Sequence, residues 1–342
     1  MMKISKRHIF FLVIVVIISS FLATYQLPFY IYKPGRADAL EPMVEVVGGY
    51  ESEGDMHLVT VSGGQATPIQ YLWAKILPHH DILPLEQVRP KGVTDEEYMH
   101  AQLQLMESSQ QASLVVAYEA ANADITIEYD GVFVVAVIDE MPADGILEVG
   151  DLITAINGRN VKTAEDLISY VETKQAGDMI SLEVVREEET LTEQIRLETF
   201  TEQQDKVGIG VQLVTDRSVE VNPEVNFSSG NIGGPSAGLM FALKIYDQLT
   251  EEDLTKGYHI AGTGEVDYEG QVIRIGGVDK KVIAADREGC DIFFAPNENG
   301  APDSNYEVAK KTAEEISTSM QIVPVDTFDE ALTYLQNLEE KK

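Results

Sequence analysis

The sequence predicts an α+β protein of two domains that follow one N-terminal membrane-spanning helix. Three observations support this fold class. An uncharged and mostly apolar run, residues 8–32, lies close to the start of the chain. Short β-rich runs surround one helix between residues 125 and 200. From Lys206 onward, predicted strands and helices alternate, and a length of 342 residues exceeds what one compact core usually organises.

The N-terminal run has the length and composition of a membrane anchor. Ile9 to Ala23 is almost wholly apolar, and about 20 such residues at ~1.5 Å each cross a bilayer core. Three basic residues precede it, namely Lys3, Lys6 and Arg7. This bias predicts a cytoplasmic tail at 1–8, an anchor at 9–32 and an extracellular remainder, in a single-pass protein of the cell membrane. The alternative is a cleaved signal peptide, although Phe21 gives a poor cleavage site before Ala23.

Composition narrows the choice of partners. The net charge of −32 disfavours binding to nucleic acids and to anionic membrane surfaces, and its ordinary meaning is solubility. Cys290 is the one cysteine of the sequence, which excludes an intrachain disulfide and a cysteine-based zinc cluster. We predict no metal and no cofactor.

The remaining chain divides by its hydrophobic pattern. Alternating apolar runs at 43–61 predict strands, and helical spacing follows at 94–123. The β-rich segment is punctuated by turn residues and holds one helix, Ala164 to Thr173. We therefore predict domain segments at 43–124, 125–200 and 205–338.

A serine at a predicted helix start is the first candidate for chemistry. Gly233 to Gly238 leads directly into an apolar run of helical length, and Ser236 lies in this entry. Unpaired backbone N–H groups at a helix N-terminus can hold the oxyanion of a tetrahedral intermediate. The alternative is that Ser236 only caps the helix, since serine is a favoured N-cap residue.

A nucleophilic serine needs a base, and the sequence offers lysines more readily than histidines. None of the six histidines lies in a motif that marks a Ser-His-Asp member, although such members need not be close in sequence. A lysine can act as the base if burial lowers its pKa. Lys280 and Lys281 lie on a predicted helix after Gly276-Gly277, and periodicity alone does not choose between them.

Four motifs together resemble the proteolytic domain of Lon-type proteases. They are Gly234–Gly238, Thr263–Glu265, Gly270–Val272 and Ile275–Lys281. The resemblance implies that Ser236 is the nucleophile, that Lys281 is the general base, and that Thr263 orients the lysine. It also implies a backbone oxyanion donor at Ala237. Gly233 stands where many family members carry an acidic residue, which puts a carboxylate role in this loop in doubt. The sequence has no G-x-x-x-x-G-K-[ST] loop for ATP phosphates.

A second pair of motifs resembles a PDZ domain of the protease-associated kind. These motifs are Met141–Gly145 and Leu147–Gly158. The resemblance implies that an extended peptide binds between a strand edge and a helix. We predict this edge at Gly131, Val132, Phe133 and Val134, extending to Val135, opposite the helix Ala164 to Thr173. Capture of a free C-terminus is doubtful because Tyr129–Phe133 has one glycine and one acidic residue. The alternative is a β-rich spacer without a ligand.

The order of the motifs resembles a bacterial family of membrane-anchored cell-surface proteases. Leu105–Val116 resembles an early helix of the Lon-type fold, so the PDZ-like module is predicted to be inserted within the proteolytic domain. The resemblance implies a serine endopeptidase that cleaves small exported peptides or membrane proteins without ATP, and that forms a homo-oligomer in some members. The alternative is a non-catalytic PDZ scaffold at the cell surface.

Overall fold

The computed structural model describes residues 6–89, 93–200 and 206–341. The chain divides into two compact units, one formed by Met1–Asp124 with Val221–Lys342 and the other by Ile125–Glu220. Residues 1–5 of the predicted tail, and the predicted domain start at 205, lie outside the described residues. The second unit runs past the predicted end at 200, because the strand at Val211–Asn222 belongs to its sheet.

The N-terminal apolar run forms helix α1, Lys6–Thr24. It has 19 residues with a mean hydropathy of 2.1, and none of its residues is buried. The helix is therefore long and apolar enough to cross a membrane. It ends before the predicted limit at Tyr32, since Pro28 disfavours helical geometry in the residue before it and a strand begins at Phe29.

The first unit continues with a strand-rich segment and one long helix. Its elements are β1 (Phe29–Ala39), β2 (Val44–Val46), β3 (Asp55–Gln65), α2 (Pro68–Ala74), β4 (Asp81–Pro84), α3 (Leu85–Val88) and α4 (Asp95–Ala121). Helix α4 begins with a capping box, in which the Thr94 hydroxyl accepts from the Glu97 amide and the Glu97 carboxylate accepts from the Thr94 amide. It ends at Asn122, which adopts a left-handed conformation.

The second unit is an antiparallel β-structure with one helix among its described residues, 125–200 and 206–220. Its elements are β5 (Asp124–Val137), β6 (Leu152–Ile156), β7 (Arg159–Asn160), α5 (Ala164–Glu172), β8 (Met179–Arg186), β9 (Glu189–Arg196), β10 (Glu198–Thr199), β11 (Val207–Gly208) and β12 (Val211–Asn222). The main sheet has the strand order β12-β5-β6-β8-β9, and β7 pairs with β6. Alternate residues of β8, namely Ile180, Leu182 and Val184, point into the core of this unit.

The first unit is completed by the C-terminal part of the chain. Its elements are β13 (Val225–Phe227), α6 (Gly238–Leu249), β14 (His259–Gly262), β15 (Glu265–Val266), β16 (Val272–Ile273), α7 (Val278–Glu288), β17 (Ile292–Pro296), α8 (Asn305–Ile316), β18 (Gln321–Val325) and α9 (Phe328–Gln336), with a 3₁₀ turn at Glu298–Gly300. The main sheet has the order β18-β17-β14-β3-β1-β4, in which β14 runs parallel to β3 and β17. The predicted α+β class is confirmed.

Candidate active site

The loop before α6 places Ser236 at a buried helix start. Gly234 adopts a left-handed backbone with φ of 88°, which favours glycine. The Gly234 amide donates to the Gln102 carbonyl over 2.8 Å, and the Ser109 hydroxyl donates to the Pro235 carbonyl over 2.8 Å. Helix α4 therefore fixes the backbone of this loop immediately before the serine.

Lys281 approaches Ser236 from helix α7. Gly277 caps this helix in a left-handed conformation with φ of 70°, so the chain turns sharply into it. The Lys281 side chain points inward and is 3% exposed. Burial lowers the pKa of the Lys281 amine to about 7, because a charged amine is poorly solvated there. The amine is therefore neutral in a large share of molecules at neutral pH.

Three side chains meet at this point. Lys281 Nζ lies 2.6 Å from Ser236 Oγ and 2.9 Å from Thr263 Oγ1. The Thr263 hydroxyl donates to the Ser236 carbonyl over 3.0 Å, so its oxygen accepts from the lysine. A neutral amine that donates one N–H to Thr263 can direct its lone pair at the serine O–H. The geometry brings together all three side chains that the motifs single out.

The neighbouring lysine has a different environment. Lys280 Nζ lies 2.5 Å from an Asp81 carboxylate oxygen and 2.9 Å from an Asp279 carboxylate oxygen. It is buried and ion-paired, and it does not contact Ser236. Helical periodicity does not choose between Lys280 and Lys281, but the contacts do, since Lys281 is the lysine beside the Ser236 hydroxyl.

Histidines take no part in this group of side chains. His57 Nε2 and His259 Nδ1 both bond to one oxygen of Asp55, at 2.8 and 2.6 Å. This cluster lies where β3 and β14 begin, whereas Thr263 follows the other end of β14. Thr263 lies four positions after His259 along the strand direction, which corresponds to roughly 13 Å. A histidine base is therefore not favoured by the geometry.

The backbone at Ala237 suits an oxyanion donor. Ala237 is the N-cap of α6 and is 5% exposed. Within the described chain, no hydrogen-bond acceptor faces the amide groups of Ser236 or Ala237, while the Gly238 amide donates to the Pro235 carbonyl. Free amides at the start of a 12-residue helix lie where a negative oxygen is stabilised.

An open cleft of about 680 Å³ leads to Ser236. It is lined by β1, β3, α4, the loop before α6 and the start of α7, and Tyr30, Tyr32 and Gln102 contribute to its walls. The serine hydroxyl is thus reachable from solvent while the lysine amine stays buried.

Helix α4 contributes residues that motif reasoning passed over. The Ser113 hydroxyl donates to the Ser109 carbonyl over 2.7 Å and to the Gly238 carbonyl over 2.9 Å. Gly238 is packed so closely that an added Cβ would lie 2.8 Å from Ser109 Oγ. Both serines are buried, which is unusual for serine in a helix. Small polar residues on the buried face of a long helix are the sequence signal that could have identified them.

The predicted peptide-binding edge of the second unit is wrong. Gly131, Val132, Phe133 and Val134 lie on β5, which is flanked by β12 on one side and by β6 on the other. A strand between two neighbours has no free edge for an added strand. Val132 and Val134 are instead core residues with 0% and 1% exposure.

A groove of this unit lies along α5 and the residues that lead into β12. Its volume is about 360 Å³, and its walls include Leu167, Ile168 and Val171 of α5 together with the segment Lys206–Val211. Apolar side chains dominate these walls, and the charged residues among them are Glu172, Lys174 and Lys206. The sheet has two outer strands, β12 and β9, and the groove adjoins β12 through Val211 and Leu213.

Comparisons with known proteins agree with both predicted modules. Residues 170–337 match the family model of the Lon protease (S16) C-terminal proteolytic domain, and residues 106–197 match the PDZ domain model. The chain contains a Lon-type serine peptidase domain and a PDZ domain. The resemblance of the motifs to a Lon-type proteolytic domain and to a PDZ domain is confirmed.

Individual relatives align only in part. The Lon protease of Roseiflexus castenholzii is 39% identical over 99 residues, which is 29% of this chain and 11% of that protein. The Lon protease of Aster yellows witches'-broom phytoplasma is 32% identical over 100 residues, which is 29% of this chain and 12% of that protein. The chain thus matches only about an eighth of the length of these curated relatives. The PDZ domain of an SdrC-like protein from Listeria monocytogenes is 34% identical, covers 25% of this chain and 90% of that chain, and has a TM-score of 0.24.

Proposed function

We propose that this Lon-like chain is a membrane-anchored serine endopeptidase in which Lys281 acts as general base for Ser236. The 2.6 Å contact between the lysine amine and the serine hydroxyl, in a site where the lysine is 3% exposed, carries this proposal. Burial supplies the neutral amine that a base requires. The Lon-type domain supports the same reaction class.

The proposed reaction proceeds through an acyl-enzyme. Neutral Lys281 accepts the hydroxyl proton as Ser236 Oγ forms a bond to the scissile carbonyl carbon, and the carbonyl oxygen becomes negative. The amides of Ser236 and Ala237 stabilise this oxygen, a contribution of about 3 kcal/mol for each donor in other enzymes. The C–N bond then breaks as the Lys281 ammonium gives its proton to the leaving nitrogen. Water, activated by the lysine in the same way, hydrolyses the ester and restores Ser236.

A pH profile follows from this mechanism. The base form of Lys281 forms as the pH rises through about 7, so kcat/KM is expected to rise over that range and then level off. A profile that stays flat from pH 6 to 9, under conditions where chemistry limits the rate, would contradict a lysine base.

The substrates of this proposal are extended peptide segments outside the cytoplasm. The apolar helix α1 supports anchoring, and the basic residues before it support a cytoplasmic N-terminus. The cleft admits unfolded segments without an unfolding motor, and these 342 residues carry no ATP-binding loop of the G-x-x-x-x-G-K-[ST] type. Small exported peptides and loosely folded parts of membrane proteins fit these requirements.

The groove of the second unit is proposed to hold a peptide as an added strand on β12. The α5 side offers an apolar wall. Lys174 and Lys206 outnumber Glu172 in the lining, which favours a peptide with negative charge at one end. A free C-terminal carboxylate meets this description. The proposal replaces the edge on β5, and it assigns the binding role to residues 206–213.

The deciding experiment compares four forms of the full chain in mild detergent. Parent, Ser236→Ala, Lys281→Ala and Lys280→Ala proteins are incubated with an unstructured peptide or with casein. We expect cleavage by the parent and by Lys280→Ala, and none by the other two variants. Cleavage by Ser236→Ala would overturn the mechanism. Lack of cleavage by all four folded proteins would favour the scaffold alternative.

The orientation of the chain in the membrane needs a separate measurement. In intact cells, an added protease should degrade the C-terminal domain and leave α1 and the N-terminus protected. Protection of the whole chain would place the catalytic unit in the cytoplasm and would contradict the proposed orientation, without bearing on the dyad.

A further inference from the structure

The surface around α2 exposes a dense group of large apolar side chains. Five of them lie within nine consecutive residues, and their exposed fractions are 43% for Ile69, 59% for Leu72, 58% for Trp73, 76% for Ile76 and 43% for Leu77. We call this group the α2 face. Soluble surfaces rarely expose apolar patches of this density unless the patch binds something.

The α2 face lies next to the point where the chain leaves the apolar helix α1. Only three residues after Thr24, the Leu27 amide donates to the Ala66 carbonyl over 2.8 Å, and the Gln65 side-chain amide donates to the Leu27 carbonyl over 2.9 Å. Ala66 immediately precedes the N-cap of α2. Three extended residues span at most about 10 Å, so Leu27 lies within that distance of the end of α1. Helix α2 begins two residues after Ala66, the residue to which Leu27 is bonded.

Packing keeps α2 in this position. The Phe29 and Tyr71 rings lie 4.9 Å apart, and Ala66 and Ala74 are buried in a small core with Ile31. The inner side of α2 is therefore fixed against β1, while the α2 face points outward. The α2 face is therefore exposed while α2 is packed in its folded position.

The charge distribution marks the same region. The sequence has 57 acidic residues in 342, yet residues 1–37 and residues 56–80 contain none. These are the two segments that meet at the end of α1. Lys75 lies within the second segment, with its amine 4.8 Å from the centre of the Tyr71 ring. The strongly negative average therefore does not describe this part of the molecule.

We propose that the α2 face lies in the headgroup region of the lipid bilayer, on the side where α1 leaves the membrane. This inference rests on the proposed membrane anchoring. Tryptophan and tyrosine favour the membrane interface, apolar side chains beside them enter the outer acyl region, and a lysine meets lipid phosphates. The short connection from Thr24 places α2 within the depth of an interface, and the missing acidic residues remove repulsion from anionic lipids.

Trp73 is the one tryptophan of the sequence, so its fluorescence reports this face directly. The full chain is reconstituted into phosphatidylcholine vesicles that carry a nitroxide near the headgroup, and into vesicles that carry it near the acyl-chain end. We expect strong quenching by the shallow label and weaker quenching by the deep label. Absence of quenching by both labels would overturn the proposal.

A matched control moves the tryptophan to the far end of β3. The double variant Trp73→Phe/Tyr50→Trp keeps one tryptophan, at a site that is 48% exposed. Tyr50 lies near Asp55, and the 11 residues of β3 separate this end from Gln65 by about 33 Å. We expect this reporter to escape lipid quenching and to be quenched by acrylamide in solution. Equal lipid quenching of both reporters would contradict a specific membrane contact.

Two further outcomes distinguish the bilayer contact from self-association and from failure of the anchor. If Trp73 is shielded from lipid labels and also from acrylamide, a second copy of the chain covers the α2 face and the bilayer proposal fails. Retention of the protein in vesicles after alkaline carbonate washing tests the anchor independently. A retained protein with an unquenched Trp73 would refute the α2 inference alone, whereas a released protein would refute the anchoring on which it rests.

Discussion

Replacement of Lys281 by methionine should stabilise the proteolytic unit at neutral pH. The Lys281 amine is 3% exposed, and its pKa is lowered from 10.5 to about 7. Between these values the unfolded chain binds a proton that the folded chain does not, so parent stability falls as the pH falls from 10.5 to 7. Below pH 7, the lowered pKa of Lys281 reduces the free energy of unfolding of the parent by about 5 kcal/mol. Methionine fills a similar volume without a charge.

The pH dependence of this effect is the sharper part of the prediction. The stability gain of Lys281→Met over the parent should shrink by about 1.4 kcal/mol for each pH unit between roughly 7.5 and 10. Urea unfolding of the full chain in detergent, followed by Trp73 fluorescence, measures it because Trp73 lies in the proteolytic unit. Other titrating groups cancel when variant and parent are compared at the same pH.

The adjacent lysine provides the matched control. Lys280→Met removes the partner of the Asp81 and Asp279 carboxylates, so this variant should be less stable than the parent across the same pH range. A stability gain of Lys281→Met that does not change with pH would refute the buried, neutral amine. A loss of stability at pH 7 would do the same.

Three further predictions concern the rest of the molecule. Thr263→Val should lower kcat/KM about 10- to 100-fold, because the Thr263 hydroxyl bonds both the lysine amine and the Ser236 carbonyl. Activity should recover in Thr263→Ser, and equal activity of the parent and both variants would exclude an orienting role for Thr263. Gly238→Ala should cost about 1–3 kcal/mol in urea unfolding, since the new methyl would lie 2.8 Å from Ser109 Oγ, and an unchanged midpoint would contradict this packing. Ile168→Glu should weaken binding of a C-terminal peptide by roughly tenfold in fluorescence anisotropy, whereas Val149→Glu, outside the groove, should not; equal effects would refute the groove.

The residues of the candidate site could be predicted from the sequence where short local motifs contain them. Gly-Pro-Ser before an apolar run predicted a serine at a helix start, and Gly-Gly predicted a helix entry before the two lysines. Helical spacing could not choose between Lys280 and Lys281, because both have apolar neighbours on the helix. The choice depends on Asp81, a residue about 200 positions away that pairs with one lysine only.

The peptide groove was misplaced for a different physical reason. Alternation of apolar and polar residues identifies a strand, but it does not say which strands flank it. Phe133 therefore looked like part of an edge although its strand is central. Strand β12 falls within the predicted segment 205–338, although it pairs with β5 of the second unit. Val207-Gly208-Ile209-Gly210, with two glycines, was the overlooked signal.

The position of the cleft relative to α1 gives a test of the proposed substrate class. Strand β1 begins at Phe29, five residues after α1 ends, and Tyr30 and Tyr32 of this strand line the cleft. If α1 crosses the membrane and the α2 face lies in the interface, this end of the cleft is held close to the lipid surface. A peptide bond near the membrane exit of another anchored protein then meets the serine without extraction or unfolding, whereas a bond far from the bilayer does not. Anchored substrates with spacers of increasing length between span and cleavage site should therefore be cleaved progressively less well. Cleavage that is independent of spacer length would separate the chemistry of the dyad from any control by membrane distance.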